Sequence, residues 1–391
     1  MRFATVALVI VVALAVDPTL RAQSNATFVP SLSMSTVYDD NIFARKNGDA
    51  GVMTRLRPAF EGNYESPTVT LLSLYSFDMQ HSNFPALNTL DARRHGSFEV
   101  RHRTRPPTTL GFGLQYDRTD TPGELNLDSG ILGDRRQAER WELAPSILHR
   151  IRPRTAFSGS YRWTTESLDE DTRGTLHVAR SGITRQTSTR DEVSVSYLGR
   201  LFVDAFEQRT SHAALVGWAR ELAFGTRLTL QGGPRFSSYR SVTPEIVAGL
   251  TRITNRLRMG FDYWHGETIV LGIHGPVAVD SGTARFIWLL SPRVELGNHI
   301  SVSDNSTING EDARVYRGTV VASWTPRGGP YTFAGSYALD FQQGVIRRTL
   351  FSEDQVLRHT FRMNVTIAPR LSRSFRPTGE RPEARPEGVI Q

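Results

Sequence analysis

Residues Trp141 to Trp163, WELAPSILHRIRPRTAFSGSYRW, decide the fold. They read as two strands joined by a tight turn at Arg152-Pro153-Arg154. In the second strand Phe157, Gly159, Tyr161 and Trp163 point one way, while Ala156, Ser158, Ser160 and Arg162 point the other. That is a period of two, which a helix would scramble. One face is apolar and ends in aromatics; the other is small, polar or charged. A soluble sheet turns such an apolar face to a core, whereas a transmembrane barrel turns it to lipid and its polar face to a lumen. One hairpin does not separate the two readings, but its repetition along the chain does.

Working outward, the same unit recurs. Ala26 to Tyr38 is the first strand. Met53 to Tyr64 and Thr68 to Met79 pair across Glu65-Ser66-Pro67, and His95 to Arg103 and Thr109 to Arg118 pair across Arg105-Pro106-Pro107. Residues 119 to 137 and Glu166 to about Arg190 read as long polar loops. Glu192 to Gly199 and Leu201 to Phe206 read as a pair around Gly199-Arg200, with one long strand as the alternative. Ala213 to Glu221 then pairs with Arg227 to Ser238, Pro244 to Ile253 with Arg256 to Thr268, and Thr283 to Leu290 with Arg293 to Val302. Ala313 to Trp324 pairs with Tyr331 to Gln342, and His359 to Ala368 is the last strand. Short turns built on Pro, Gly or Asn alternate with long polar loops, and strands near ten residues suit a tilted crossing of the hydrocarbon. The expectation is an all-β, transmembrane, antiparallel up-and-down barrel of roughly 18 strands, within a range of 14 to 18.

Composition agrees. Only 39% of the 391 residues are hydrophobic, low for one large soluble core but suited to strands in which every second residue is apolar. No cysteine is present, which removes disulfides and thiolate metal sites. The net charge of +7 is carried almost wholly by arginine, Lys46 being the only lysine. The arginines are scattered among Asp and Glu with no basic block, which argues for a lumen and loops of both signs rather than nucleic acid. Arg2, the apolar run Phe3 to Val16 and Leu20-Arg21-Ala22 have the three-part form of a secretory signal over residues 1–22. The barrel is then expected over 23–370, in outer-membrane lipid, delivered by periplasmic chaperones and the barrel assembly machinery. Residues 371–391, rich in Pro, Arg and Glu, read as a disordered tail. Assembly signals of such barrels usually end on an aromatic; here the nearest is Phe375.

Just after the first strand stands Tyr38-Asp39-Asp40-Asn41-Ile42-Phe43. This element resembles the start of β-barrel porins found with exopolysaccharide export systems of Gram-negative bacteria. The resemblance implies a conduit for export of an extracellular polysaccharide in the outer membrane, with polysaccharide export components as partners. A general diffusion porin for small solutes, and a structural or adhesive surface barrel without an open pore, are the alternatives.

The search for chemistry yields little that points to an enzyme. His299 and Ser301 share one strand face near Glu295, but no Gly-x-Ser-x-Gly element occurs, and lumen lining is the simpler reading. His265 and His274 lack metal-ligand spacing. Asp39-Asp40-Asn41 lacks the spacing of a helix-loop-helix calcium site and reads as a turn held by its own side chains. No catalytic, metal or cofactor site is expected. Trp163, Tyr263, Trp288 and Trp324 suit an interfacial girdle. Alternation puts Asp117, Arg162, Arg258, Asp262, Glu295, Arg317, Asp340 and Arg362 on the inward face as pore-lining candidates, since charge is costly on a lipid face.

Overall fold

A computed structural model describes residues 25–369, except 46–47, 106, 127, 170–171, 224 and 345–354. The expected signal segment, the tail and Phe375 lie outside the described residues. The first six strands are β1 (Asn25–Asp39), β2 (Gly51–Glu65), β3 (Val69–Ser82), β4 (Thr89–Arg105), β5 (Thr108–Thr119) and β6 (Ala138–Arg152). Next come β7 (Thr155–Leu168), β8 (Thr172–Gln186), β9 (Asp191–Val203), β10 (Gln208–Ala223), β11 (Thr226–Ser237) and β12 (Arg240–Ile253). The last are β13 (Leu257–Thr268), β14 (Val277–Ser291), β15 (Val294–Thr307), β16 (Asp312–Trp324), β17 (Tyr331–Gly344) and β18 (Gln355–Ile367).

Each strand pairs antiparallel with the one before it, and β18 returns to β1, with Leu32 opposite Ile367 and Asp39 opposite Thr360. Closure satisfies every strand edge, the condition for a sheet to cross hydrocarbon. No helix among the described residues is long and apolar enough to cross a membrane; strands do the crossing. An even-numbered antiparallel barrel wrapped in apolar side chains is an outer-membrane β-barrel of the Gram-negative type.

The alternation sorts the two faces. On β1, Phe28, Leu32, Met34 and Tyr38 are exposed outward, while Ser31, Ser33, Ser35, Val37 and Asp39 line the other face. In the β6–β7 hairpin Ile147 and Tyr161 are exposed, and Arg162 on the opposite face pairs with Glu142 at 3.2 Å. Trp288 and Trp324 stand exposed near short-turn ends, Trp324 stacked on Phe333 at 5.5 Å, as a girdle at one interface requires.

The count of 18 agrees with the sequence reading, but two errors in that reading cancel. The span from Glu166 to Arg190 is not a long loop: it holds all of β8, joined to β7 by only residues 169–171. The supposed pair around Gly199-Arg200 is the single strand β9. β8 escapes the pattern because its apolar residues are divided between the faces, Leu176 and Val178 inward and Ile183 outward. Leu176 packs on Phe202 and Ile269 inside the barrel, while His177 stands beside Tyr161 on the outer face. A strand with apolar residues on both faces lacks the one-sided alternation that was sought. β9 runs unbroken through Gly199-Arg200, where the sequence reading placed a turn. Arg200 instead points inward to Glu245.

Strands run 12–17 residues rather than ten. At about 3.3 Å per residue and a tilt near 40°, a 14-residue strand rises about 35 Å against an apolar band of about 25 Å, so the barrel wall stands clear of the membrane. Four connections at the loop end are correspondingly short, at residues 169–171, 204–207, 238–239 and 308–311.

Candidate pore and its inserted loops

The segment between β5 and β6, residues 120–137, is not the external polar loop that its Asp, Gly and Asn content suggests. It folds into the barrel: Leu125, Ile131 and Leu132 are buried, as are the polar Asn126 and Ser129. It reaches strands half-way round the ring from β6. There Ser303 Oγ and Asn305 Nδ2 donate to the Ser129 carbonyl at 2.5 and 2.9 Å. Arg317 donates to the Gly130 carbonyl at 3.2 Å, and the Leu132 amide donates to Gln342 Oε1 at 2.8 Å. Gly130 turns the tip at φ +65°, where a Cβ would lie 3.3 Å from Ser303 Oγ.

A second segment, residues 269–276 between β13 and β14, folds in beside it. Leu271 packs with Leu125, and its amide donates to Asn126 Oδ1 at 3.1 Å. Val270 joins Ile131, Trp264, Val277, Val279 and Val315 in the largest apolar cluster, which sits inside the barrel. Ala44, after the Tyr38–Phe43 element, meets Leu132 and Val356. These contacts narrow the lumen at the loop end.

Two charged systems line what remains. Between β9 and β13, Glu245 bridges Arg200 and Arg235 at 2.6 and 2.8 Å, and Arg235 also meets Glu267 at 3.3 Å, all of them buried. This network braces the wall. Around β1–β4 and β18 stand six guanidiniums, on Arg55, Arg57, Arg93, Arg135, Arg358 and Arg362, with four carboxylates, on Asp39, Asp78, Asp120 and Glu124. Arg57 pairs with Asp78, Arg93 with Glu124, Arg135 with Asp120 and Arg358 with Asp39. Arg55, only 3% exposed, bonds the neutral Gln80 Oε1 at 2.8 Å and Met53 Sδ at 3.6 Å. Arg362 has no ion-pair partner among the described residues. Desolvation within the enclosed lumen pushes the Glu124 carboxyl up, but the charges of Arg93, Arg55 and Arg362 hold it down at about 2. Asp128, also on the inserted loop, is pushed up to about 7 by burial, against the pull of Arg140 and Arg162; Glu166 adds to the rise.

The register places all eight charged residues singled out from the sequence on the face opposite the exposed apolar side chains. Asp117 meets His95 at 2.5 Å, Arg162 meets Glu142, and Arg317 meets Asp340 at 2.8 Å. Asp262 pairs with Arg285, not Arg258, at 2.8 Å, with the two side chains 44% and 62% exposed. Glu295 shares its strand face with His299, and no hydrogen bond joins His299 to Ser301 among the described residues.

Sequence reasoning missed Arg55, Arg57, Asp78, Arg93, Glu124 and Arg135. Arg55 and Arg57 flank Leu56 in period two, a legible signal, whereas Arg93, Glu124 and Arg135 fell in spans read as loops.

The Tyr38–Phe43 element is a seam. Tyr38 packs on Phe361 outside, and Asp39 takes Arg358 inside at 3.0 Å. Asp40 Oδ1 accepts from the His359 amide at 2.6 Å. Asn41 Nδ2 donates to the carbonyls of Arg45 and Leu357 at 2.5 and 2.9 Å. Ile42 is buried with Val37 and Met53, against Phe43 and Phe84. These side chains hold barrel closure and a turn. Among the described residues no three His, Cys, Asp or Glu side chains gather as a metal site.

No known family model matches the chain. No curated protein is similar to it in sequence. Solved structures with a similar backbone include Pseudomonas aeruginosa OpdQ, at 10% identity and a TM-score of 0.46, covering 88% of this chain and 97% of that one. A BenF-like porin from Pseudomonas fluorescens Pf-5 gives 11% identity and 0.48, covering 88% and 98%. Acinetobacter baumannii OccAB4 gives 10% and 0.47, covering 90% and 100%. The barrel itself is established by the closed strand order described above.

Proposed function

We propose that this barrel is a porin: a water-filled passage through the outer membrane for small hydrophilic solutes, narrowed by the inserted segment 120–137. One observation carries the reading. Inside a closed ring, charged side chains remain open to solvent, with Arg285 and Asp262 about half exposed on the inner face. A lumen packed solid would bury such groups in pairs, as it does Arg235 and Glu245. Below the inserted loop, Arg258, Asp262, Arg285, Glu295, Arg317 and Asp340 form a charged vestibule towards the short turns. Short turns face the periplasm in bacterial barrels, so solute passes the inserted loop first and the vestibule second.

Polysaccharide export is favoured by the resemblance at Tyr38–Phe43 alone. Those residues close the barrel seam, with Asp39, Asn41 and Ile42 buried, so the small-solute reading is preferred. The test is swelling of liposomes carrying refolded protein in isotonic sugars of increasing size. Entry of monosaccharides with a sharp cut-off among short oligosaccharides supports the porin. Equal entry of long oligosaccharides returns the polymer conduit to first place.

A further inference from the structure

We propose that the wall opens sideways between β12 and β13, and that this seam passes small uncharged amphiphiles between the lumen and the outer leaflet. The inference goes beyond the porin reading: it needs the mouth of the lumen at the loop end, not a passage through to the periplasm.

The backbone ladder stops early at this seam. β12 and β13 pair from Ile253–Arg258 up to Ile246–His265, yet β12 runs on to Arg240 and β13 to Thr268. The cause is in the sequence. The Ile253 amide donates to the Gly225 carbonyl beside β11 at 2.7 Å, so odd-numbered residues of β12 bond towards β11 and even-numbered ones towards β13. The next even position above Ile246 is Pro244, which has no N–H to give. Pro234 stands opposite it on β11, and there the β10–β11 register skips Ala214 and Leu215. The β11–β12 hairpin is therefore notched on both sides at one level.

Side chains close what the ladder leaves. Arg235 bridges Glu245 on β12 and Glu267 on β13, at 2.8 and 3.3 Å. Arg240 reaches past β13 and β14, whose connection dips into the lumen, to the carbonyls of Ser306 and Thr307 at 3.4 and 2.8 Å. Such a closure opens by side-chain rotation, without unzipping a strand pair.

The level and lining of the seam select the solute. His265 lies eight residues above Leu257, which pairs with the girdle residue Trp288. That is a rise of about 20 Å, so the seam straddles the outer edge of an apolar band of about 25 Å. Inside, Val247 and Trp264 face each other just below it as part of the apolar cluster; outside, Phe236 and Val242 are exposed. The buried Trp264 indole lies against Gly266, where a Cβ would collide with its nitrogen, and its N–H has no partner among the described residues. An apolar path with one free donor suits an apolar body carrying a hydroxyl or carbonyl. The charges of Arg200, Arg235, Glu245 and Glu267 sum to zero, which draws in neither sign of ion.

The experiment follows uptake of Nile red, an uncharged dye with a carbonyl that fluoresces in membranes, by intact Gram-negative cells with and without the full-length barrel. The barrel is expected to speed uptake. Pro244→Val restores an amide opposite Glu267 and should slow the barrel-dependent part about fivefold, whereas Arg240→Ala frees the strap and should speed it by about the same factor. The chain has no cysteine, so Thr243→Cys with Thr268→Cys offers the only thiols for a bifunctional methanethiosulfonate. Bridging them should abolish barrel-dependent uptake, and reductant should restore it. All variants are checked for folding by their shift on unheated gels. Uptake that the barrel does not raise, or a rise that survives a bridge verified by mass spectrometry, overturns the portal. Liposome swelling in sugars keeps the two readings apart. A barrel that admits dye under control of these substitutions but no sugar loses the pore and keeps the portal; one that admits sugar but no dye does the reverse.

Discussion

Replacing Ile131 with alanine is expected to release the inserted loop while leaving the barrel intact. Ile131 is fully buried among Trp264, Val270, Val277, Val279 and Val315, where the loop meets the far wall. The substitution removes about three carbons, worth roughly 2.4 kcal/mol of transfer free energy, and up to about 5 kcal/mol if the hole stays unfilled. The hydrogen bonds from Ser303, Asn305 and Arg317 to loop carbonyls and from the Leu132 amide to Gln342 remain, each contributing about 1 kcal/mol net, so the loop loosens rather than leaves. A loss of this size multiplies the undocked population by about 50-fold to a few thousand-fold. Hydrogen exchange by mass spectrometry should show that acceleration in peptides covering 125–135. Strand amides should keep their protection, and the shift of folded barrel on unheated gels should not change. Unchanged exchange in 125–135 would refute the claim that this cluster holds the loop across the lumen.

Asp128 makes the same loop sensitive to pH. Its folded pKa of about 7 lies above the ordinary carboxylate value, so the ionised form opposes docking above about pH 7, and the penalty fades as pH falls towards that ordinary value. The groups facing it are Arg140, Arg162, Glu166 and Thr268. Loop protection, corrected for intrinsic exchange rates, is expected to rise as pH drops from 8 to 6 in the wild type and to stay flat in Asp128→Asn. Gly130→Ala forces a left-handed backbone on a side chain and crowds Ser303, a cost of about 1–2 kcal/mol visible as faster exchange in the loop alone. In the wall, Arg235→Ala leaves Glu245 and Glu267 short of charge in a buried network and should lower barrel stability by about 3–5 kcal/mol in urea titration. Arg314→Ala on the exposed outer face breaks solvent-screened contacts with Asp304 and Tyr316 and should leave the urea midpoint essentially unchanged.

The barrel was legible because the apolar stripe of each hairpin must face lipid, and Phe157, Tyr161, Ile147 and their counterparts obey that rule. It was illegible where the inner wall does something other than meet water. β8 turns Leu176 inward because residues 269–271 need an apolar surface to pack on, and the outward His177 bonds Tyr161 instead of lying bare. The inserted loop carries the mark of its burial, Ile131-Leu132 inside a polar span, as does the apolar run from Ile269 to Leu271 between two strands. Composition averaged over each span hid both. The eight charged residues chosen by alternation sit on the inner face because alternation is local. Their partners are set by register across strands and by the loop, which one strand read alone does not contain. So Arg317 and Asp340 were both named, but not the Gly130 carbonyl between the loop and Arg317.

The most direct test of the account is single-channel conductance in planar bilayers. It compares the refolded barrel with a variant whose residues 123–133 are replaced by a short Gly-Ser bridge. The account predicts steady steps from the wild type and larger steps from the variant, because the loop narrows a lumen that is otherwise open. Silence from both proteins, each folded by the gel-shift criterion, would contradict it and leave a closed barrel acting through its outer surface.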